Sequence, residues 1–142
     1  MKKVYLLDTN VVSEFSKEVP SQRVLEIFNE RRKLCAISAT TWQEMIYGLS
    51  RMPEGRRKRY IEECIQTCAN EFEILPYDDF AAKICGNLFA KAEQNGKKLP
   101  ILDCQIAATA VANGMVLVTR NVSDFDEAVE NSFLRVENWF SE

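Results

Sequence analysis

Short apolar runs recur along the chain at wide intervals, and longer amphipathic stretches fill the gaps between them. Residues 4–7 form the first run, 34–37 the second, Glu73–Leu75 the third and 116–119 the fourth; residues 134–136 make a weak fifth. Runs this short, bounded by polar residues, read as strands. Val24, Leu25, Ile27 and Phe28 give helical spacing from about residue 22 to 32. Further helical patterns cover 41–51, Arg56–Glu71, 79–95 and 102–113. Strands that alternate with helices predict βαβ units, hence a parallel sheet covered on both faces with right-handed crossovers.

The breaker residues support these limits. Pro53 and Gly55 separate two helices, Pro76 ends the third strand, and Asp78 can cap the helix after it. Gly96 stops that helix, Pro100 precedes the next, and Gly114 ends it just before the fourth strand. No internal repeat, low-complexity tract or linker interrupts the pattern, so residues 1–142 read as one domain.

Composition narrows the chemistry. Hydrophobic residues make up 46% and charged residues 27% of 142, ordinary values for a globular protein. No apolar stretch nears the roughly 20 residues of a membrane span. Met1-Lys2-Lys3 before so short a run is no signal peptide, so a cytoplasmic location is the expectation. Five cysteines, an odd number, read as reduced and buried thiols. Cys64 and Cys68 share a helix face at i, i+4 spacing, but two thiols do not complete a zinc site. The chain has no histidine, which excludes Ser-His-Asp and Cys-His triads and histidine acid–base pairs. Hydrolysis here would need carboxylates, metal ions or lysine. The net charge of −3 means that nucleic acid would be held by a local basic patch or by metal in an acidic pocket. The strongest charge cluster runs from Arg51 to Arg59. Its Arg56, Arg57, Lys58 and Arg59 are candidate RNA contacts, or else a solvated helix start or a surface for a partner protein.

Several acids lie at the edges of elements. Asp8 ends the first strand in Leu6-Leu7-Asp8-Thr9-Asn10. Glu44 lies in the first turns of the helix after the second strand. Asp103 opens the helix before the fourth strand, and Asn121 and Asp124 follow that strand. Each has a purely structural alternative. Asp8 can cap the helix beginning near Thr9, and Asp103 can answer a helix dipole. Thr41-x-x-Glu44 fits a capping box, as does Thr40-x-x-Gln43, which would leave Glu44 free. Asp124 can cap a last short helix. Together these alternatives weaken, because in a parallel sheet the ends of strands one, two and four can open on one edge, where a crevice forms. Carboxylates converging there could not all stay ionised without a cation. Oxygen ligands with water filling the rest suit Mg²⁺ or Mn²⁺, and phosphodiester hydrolysis is the natural reaction.

Residues 6–14, the helix carrying Glu44 with Tyr47-Gly48, the run Asp103 to Ala110, and Val118-Thr119-Arg120-Asn121 with Asp124-Phe125 together resemble a PIN domain, more closely a VapC-type toxin of bacterial type II toxin–antitoxin pairs. The resemblance spans nearly the whole chain in the family's order. It implies a PIN-like three-layer α/β/α fold with a central parallel sheet of four to five strands. It implies a shared Mg²⁺ or Mn²⁺ site on Asp8, Glu44 and Asp103. The fourth acidic position of the family falls on Asn121, a departure; Asn121 can ligate through oxygen but brings no charge, and Asp124 can take the acidic role. One bound metal is therefore the expectation. The resemblance further implies hydrolysis of single-stranded or loop RNA (often tRNA or ribosomal RNA) to a 5′-phosphate and a 3′-hydroxyl, a homodimer, and a cognate antitoxin that covers the site. A haloacid-dehalogenase-type phosphatase also begins with an Asp after its first strand, but needs a second Asp where Asn10 stands. A PIN-like domain that binds RNA or a partner without cutting is the rival of another class.

Overall fold

The computed structural model describes residues 2–141. Its strands are β1 (Tyr5–Leu7), β2 (Cys35–Ser38), β3 (Glu73–Leu75), β4 (Val116–Val118) and β5 (Arg135–Glu137). Its helices are α1 (Thr9–Glu14), α2 (Gln22–Arg31), α3 (Ala39–Ser50), α4 (Arg56–Glu71), α5 (Asp79–Gln94), α6 (Ile101–Ala112) and α7 (Asp126–Glu130). Short 3₁₀ turns cover Arg32–Leu34 and Val122–Phe125. Among the described residues the strands form one five-stranded, all-parallel sheet in the order β3-β2-β1-β4-β5.

Alternation along the strands explains the layers, because successive side chains of a strand point to opposite faces. Leu6, Ala36 and Leu117 pack with Cys85 and Leu88 of α5, Ile106 of α6 and Ala128 of α7. Leu7, Ile37 and Val118 face the other way, onto Val11 of α1, Val24 and Phe28 of α2, and Trp42 of α3. Two cores therefore sandwich the sheet, and the expected three-layer α/β/α fold is the one observed. Strands buried on both faces must be apolar throughout, which is why the short runs were informative.

Local chemistry sets the ends of the helices. Ser21 caps α2 and Asp78 caps α5, each accepting the backbone N–H three residues on. Gly96 and Gly114 adopt left-handed φ values of 66° and 63° just past α5 and α6, a conformation that glycine reaches without strain. Helix α3 begins earlier than its hydrophobic pattern suggests. Ser38, the last residue of β2, is the cap and accepts the Thr41 N–H at 3.0 Å. Neither capping box considered for Thr40 or Thr41 is used, and Glu44 is left for other work. Asp124 does not cap α7: Phe125 occupies the cap position, with no side-chain cap bond. The five cysteines are free thiols, with Cys35, Cys85 and Cys104 buried and Cys64 and Cys68 half-buried on α4. No described helix is long and apolar enough to cross a membrane.

Candidate active site

The chain builds β1, β2 and β3 outward in one direction and then returns to place β4 on the opposite side of β1. The strand order reverses between β1 and β4, the position where open α/β sheets form their ligand crevice. Asp8 stands at this point. Its backbone N–H continues the ladder to the Val118 carbonyl at 2.8 Å. Its side chain leaves the strand and meets three donors. Oδ1 accepts the Thr9 N–H at 2.7 Å, so the expected cap of α1 is real. Oδ2 accepts the Thr119 hydroxyl at 2.8 Å and the Asn10 amide at 3.3 Å.

Thr119 is fully buried, and its hydroxyl is saturated. It donates to Asp8 and accepts from Asn10 Nδ2 at 3.2 Å and from the Asn121 N–H at 3.1 Å. A hydroxyl has one proton and two lone pairs, so these three contacts fix its direction. Asn10 completes the ring, with Oδ1 accepting the Arg120 N–H at 3.0 Å. The ends of β1 and β4 are thus laced together around the Asp8 carboxylate. Burial still pushes the Asp8 carboxyl above its ordinary range, against the hydrogen bonds from Thr119, Thr9 and Asn10, and the charge of Asp124 adds to the rise.

Glu44 projects from the second turn of α3 and accepts the Thr9 hydroxyl at 2.7 Å; Thr41 Oγ1 lies 3.3 Å from the same hydroxyl. Thr9 therefore ties the Glu44 carboxylate to the residue after Asp8. Asp103 lies in the first turn of α6 on the opposite layer. The contact of Thr40 Oγ1 with Gln105 Oε1, 3.2 Å, joins α3 to α6 beside it. Burial pushes the Asp103 carboxyl up to about 6, and the charges of Asp8, Asp124 and Glu44 add to that. Among the described residues, no side chain donates a hydrogen bond to Asp103 or Asp124. Asp124 is exposed in the Val122–Phe125 turn, its N–H bonded to the Asn121 carbonyl at 3.1 Å. Asn121 is exposed and contributes backbone groups to this network.

Glu14 gives a useful contrast. This carboxylate is also buried, yet the Lys17 ammonium at 2.8 Å and the Ser21 N–H at 2.7 Å answer it, and it is held below its ordinary range, chiefly by Lys17. No such cation reaches the four acids of the crevice in any described ion pair.

A divalent cation suits this donor chemistry: oxygen ligands only, with burial and neighbouring charge raising the proton affinity of Asp8 and Asp103. Among the described residues no three acidic or thiol side chains stand close enough to hold one ion directly. The set therefore fits an ion that keeps most of its waters and takes one or two carboxylates, not a closed protein cage.

The remaining predicted residues lie on the flank. Arg56, Arg57, Lys58 and Arg59 form the first turn of α4; Lys58 is half-buried and paired with Glu54 at 2.8 Å, while the other three are exposed. A groove of about 490 Å³ between α1, α2, α3 and α4 has Thr9 and Glu44 at one end and Arg57 and Met52 among its further walls. Thr9, Asn10 and Thr119 are site residues that acidic positions alone did not single out. Their signal in the sequence was their place directly beside Asp8 and directly after β4.

The chain belongs to the PIN domain family, which it matches over residues 5–130. It is 35% identical to VapC ribonuclease Y4jK of Sinorhizobium fredii, over 87% of this chain and 91% of that one. It is 33% identical to the tRNA(fMet)-specific endonuclease VapC of Shigella flexneri, over 95% and 97% of the two chains. Toxin FitB of Neisseria gonorrhoeae is 31% identical, over 89% and 96%. The crystal structure of FitAcB from the same organism superposes with a TM-score of 0.88 at 29% identity, covering 98% of this chain and all of that one. The resemblance to PIN domains and VapC-type toxins read from the motifs is therefore upheld.

Proposed function

We propose that this chain is a Mg²⁺- or Mn²⁺-dependent endoribonuclease and the toxin half of a type II toxin–antitoxin pair, acting in the cytoplasm as a single PIN unit. The observation that carries the reading is the uncompensated convergence of Asp8, Glu44, Asp103 and Asp124, with Asp103 pushed up to about 6 beside the other three. The names of the relatives support ribonuclease and toxin activity, and one of them supports tRNA as a substrate.

One or two of Asp8, Asp103, Glu44 and Asp124 would hold the cation directly and the others would hold its waters, with Asn121 as a neutral oxygen donor. When bound, a divalent ion supplies positive charge for the phosphoryl oxygens and makes water a stronger nucleophile. The chain's own residues divide the remaining work. Thr9, Asn10 and Thr119 hold Asp8 in one orientation, and Thr9 also holds Glu44. Asp103 and Asp124 keep their oxygens free for the ion and its waters. Water adds to phosphorus and the bond to the 3′-oxygen breaks, leaving a 3′-hydroxyl and a 5′-phosphate. Asp8 orients and does not attack: Oδ2 accepts two protein donors and Oδ1 one, which fixes the carboxylate and leaves one lone pair of Oδ1 for a cation or its water. A cognate antitoxin would silence the enzyme by covering the crevice, and the active form would be a homodimer.

Purified chain freed of antitoxin should cut RNA with Mg²⁺ or Mn²⁺, stop with EDTA, and leave 5′-phosphate ends. Asp8→Asn and Asp103→Asn should lose cutting while keeping the fold. Wild-type cutting by Asp8→Asn would sink the metal-site reading. Specific RNA binding with no cutting under any divalent metal would favour the non-cleaving alternative.

A further inference from the structure

The crevice is acidic and the chain is negatively charged overall, so the acids themselves repel RNA. Something nearby must hold the strand while it is cut. Between Arg51 and Arg59 lie five cations and one acid, Glu54, a net of +4 within nine residues. Aromatic side chains flank this basic stretch on both sides. The Arg51 guanidinium lies over the Tyr47 ring, 5.4 Å from its centroid, and that of Arg57 lies over Tyr60 at 5.8 Å. Tyr47 is 64% exposed and Tyr60 45%, so much of each ring is open to solvent.

Helix geometry connects the first pair to the crevice. Glu44, Tyr47 and Arg51 are spaced i, i+3, i+7 and share a face of α3. Tyr47 also lies two turns beyond Thr40 on that face, and Thr40 meets Gln105 of α6, two residues after Asp103. The exposed ring therefore follows the side of α3 that faces α6 across the crevice. The apolar groove lies to the other side of Glu44, against Met45, Gly48, Leu49 and Met52, and neither Tyr47 nor Arg51 lines it.

We infer that Tyr47 and Arg51 form a platform for unpaired RNA, Tyr47 stacking a base next to the scissile bond and Arg51 contacting its phosphate. Tyr60 and Arg57 form a separate pair of the same kind on α4, on the groove side, and are not part of this platform. The inference rests on the ribonuclease reading and adds to it the residues that set strand position and select unpaired over paired substrate. Stacking on an aromatic ring needs a splayed base, which a duplex does not offer. Charge complementarity favours RNA as the occupant, since four net positive charges flank rings that present open π-faces.

The test uses the full-length chain, a fluorescein-labelled single-stranded RNA and its duplex form. Tyr47→Ala should raise KM for the single strand about tenfold or more, with kcat nearly unchanged. Tyr47→Phe and Tyr47→Trp should stay close to wild type, because the ring stacks and the hydroxyl does not. Arg51→Ala should weaken binding and lower the slope of log affinity against log salt by roughly 0.7, the value for one phosphate contact on a single strand. Binding measured in EDTA by anisotropy separates the two levels. If wild type binds the strand and never cuts it while Tyr47→Ala loses that binding, the ribonuclease reading fails and only the RNA-binding role of the platform stands. If wild type cuts and Tyr47→Ala cuts with wild-type KM, the platform falls and the ribonuclease reading stands. If Tyr47→Ala leaves RNA binding intact but shifts the oligomeric state, the ring serves a protein interface and the inference is overturned.

Discussion

Asp103→Asn should make the metal-free protein more stable while abolishing its chemistry. The Asp103 carboxyl is pushed from 3.8 up to about 6 by burial and by Asp8, Asp124 and Glu44. Holding this carboxyl at about 6 corresponds to about 3 kcal/mol. Asp103 is only half-buried, so water screens part of this, and about 1–2 kcal/mol is the working figure. The sign follows from proton linkage. A carboxyl whose folded pKa is raised binds its proton more tightly when folded. Its charge therefore costs nothing below the unfolded value, costs progressively more between about pH 4 and pH 6, and costs the full amount above that. Asparagine keeps the shape without the charge. In urea unfolding with EDTA at about pH 7.5, Asp103→Asn should exceed wild type by about 1–2 kcal/mol, and the gap should shrink towards zero near pH 4. Adding Mg²⁺ should close the gap from the other side, by stabilising wild type more than the variant. A variant no more stable than wild type at about pH 7.5, or a gap that ignores pH, would refute the account of a charge made costly by burial and by its acidic neighbours.

Two further outcomes follow from the same geometry. Thr119→Val should cost about 1.5–3 kcal/mol in urea unfolding, because it removes a buried hydrogen bond to a charged group, and RNA cutting should fall with it; Thr119→Ser should recover both, and wild-type stability in the valine variant would mean Asp8 does not depend on that hydroxyl. Leu117→Ala, at a fully buried position of β4 in the core shared with α5, α6 and α7, should cost about 2–5 kcal/mol, whereas Tyr47→Ala on the exposed face should change stability by about 0.5 kcal/mol or less, and similar losses in the two would contradict the burial described.

The sheet is readable from the sequence because its three central strands are buried, so β1, β4 and β2 up to its closing Ser38 are apolar. Strand β5 was the weak one and is displaced by a residue, at Arg135–Glu137 in place of 134–136. It is an edge strand with an exposed first residue and half-buried neighbours, so hydrophobicity marks it poorly. The start of α3 differs from its apolar pattern for a related reason. Ser38 is at once the buried end of β2 and the cap of α3, and no pattern of apolar spacing separates those two roles. Thr40 and Thr41 look like caps in a sequence, yet their hydroxyls meet Gln105 and Thr9 across the crevice.

The acids of the site were legible and their partners were not, and the difference is physical. A charge at the end of a buried strand is expensive wherever it appears, so Asp8 draws notice from sequence alone. Thr119 costs nothing visible: a β-branched residue at the end of a strand is ordinary. Its importance lies in a contact with a residue 111 positions away. Such contacts also decide something that the identity of the acids leaves open. Asp8 and Glu44 are held by hydroxyl and backbone donors, whereas Asp103 and Asp124 receive none among the described residues. The first pair is fixed before any ligand arrives; the second is free, and in Asp103 burial first, and then the charges of Asp8, Asp124 and Glu44, make the ionised form costly. A crevice built this way is pre-organised on the α1–α3 side and electrostatically unfinished on the α6 side. The free energy released when a cation completes it should therefore depend more on Asp103 than on Glu44.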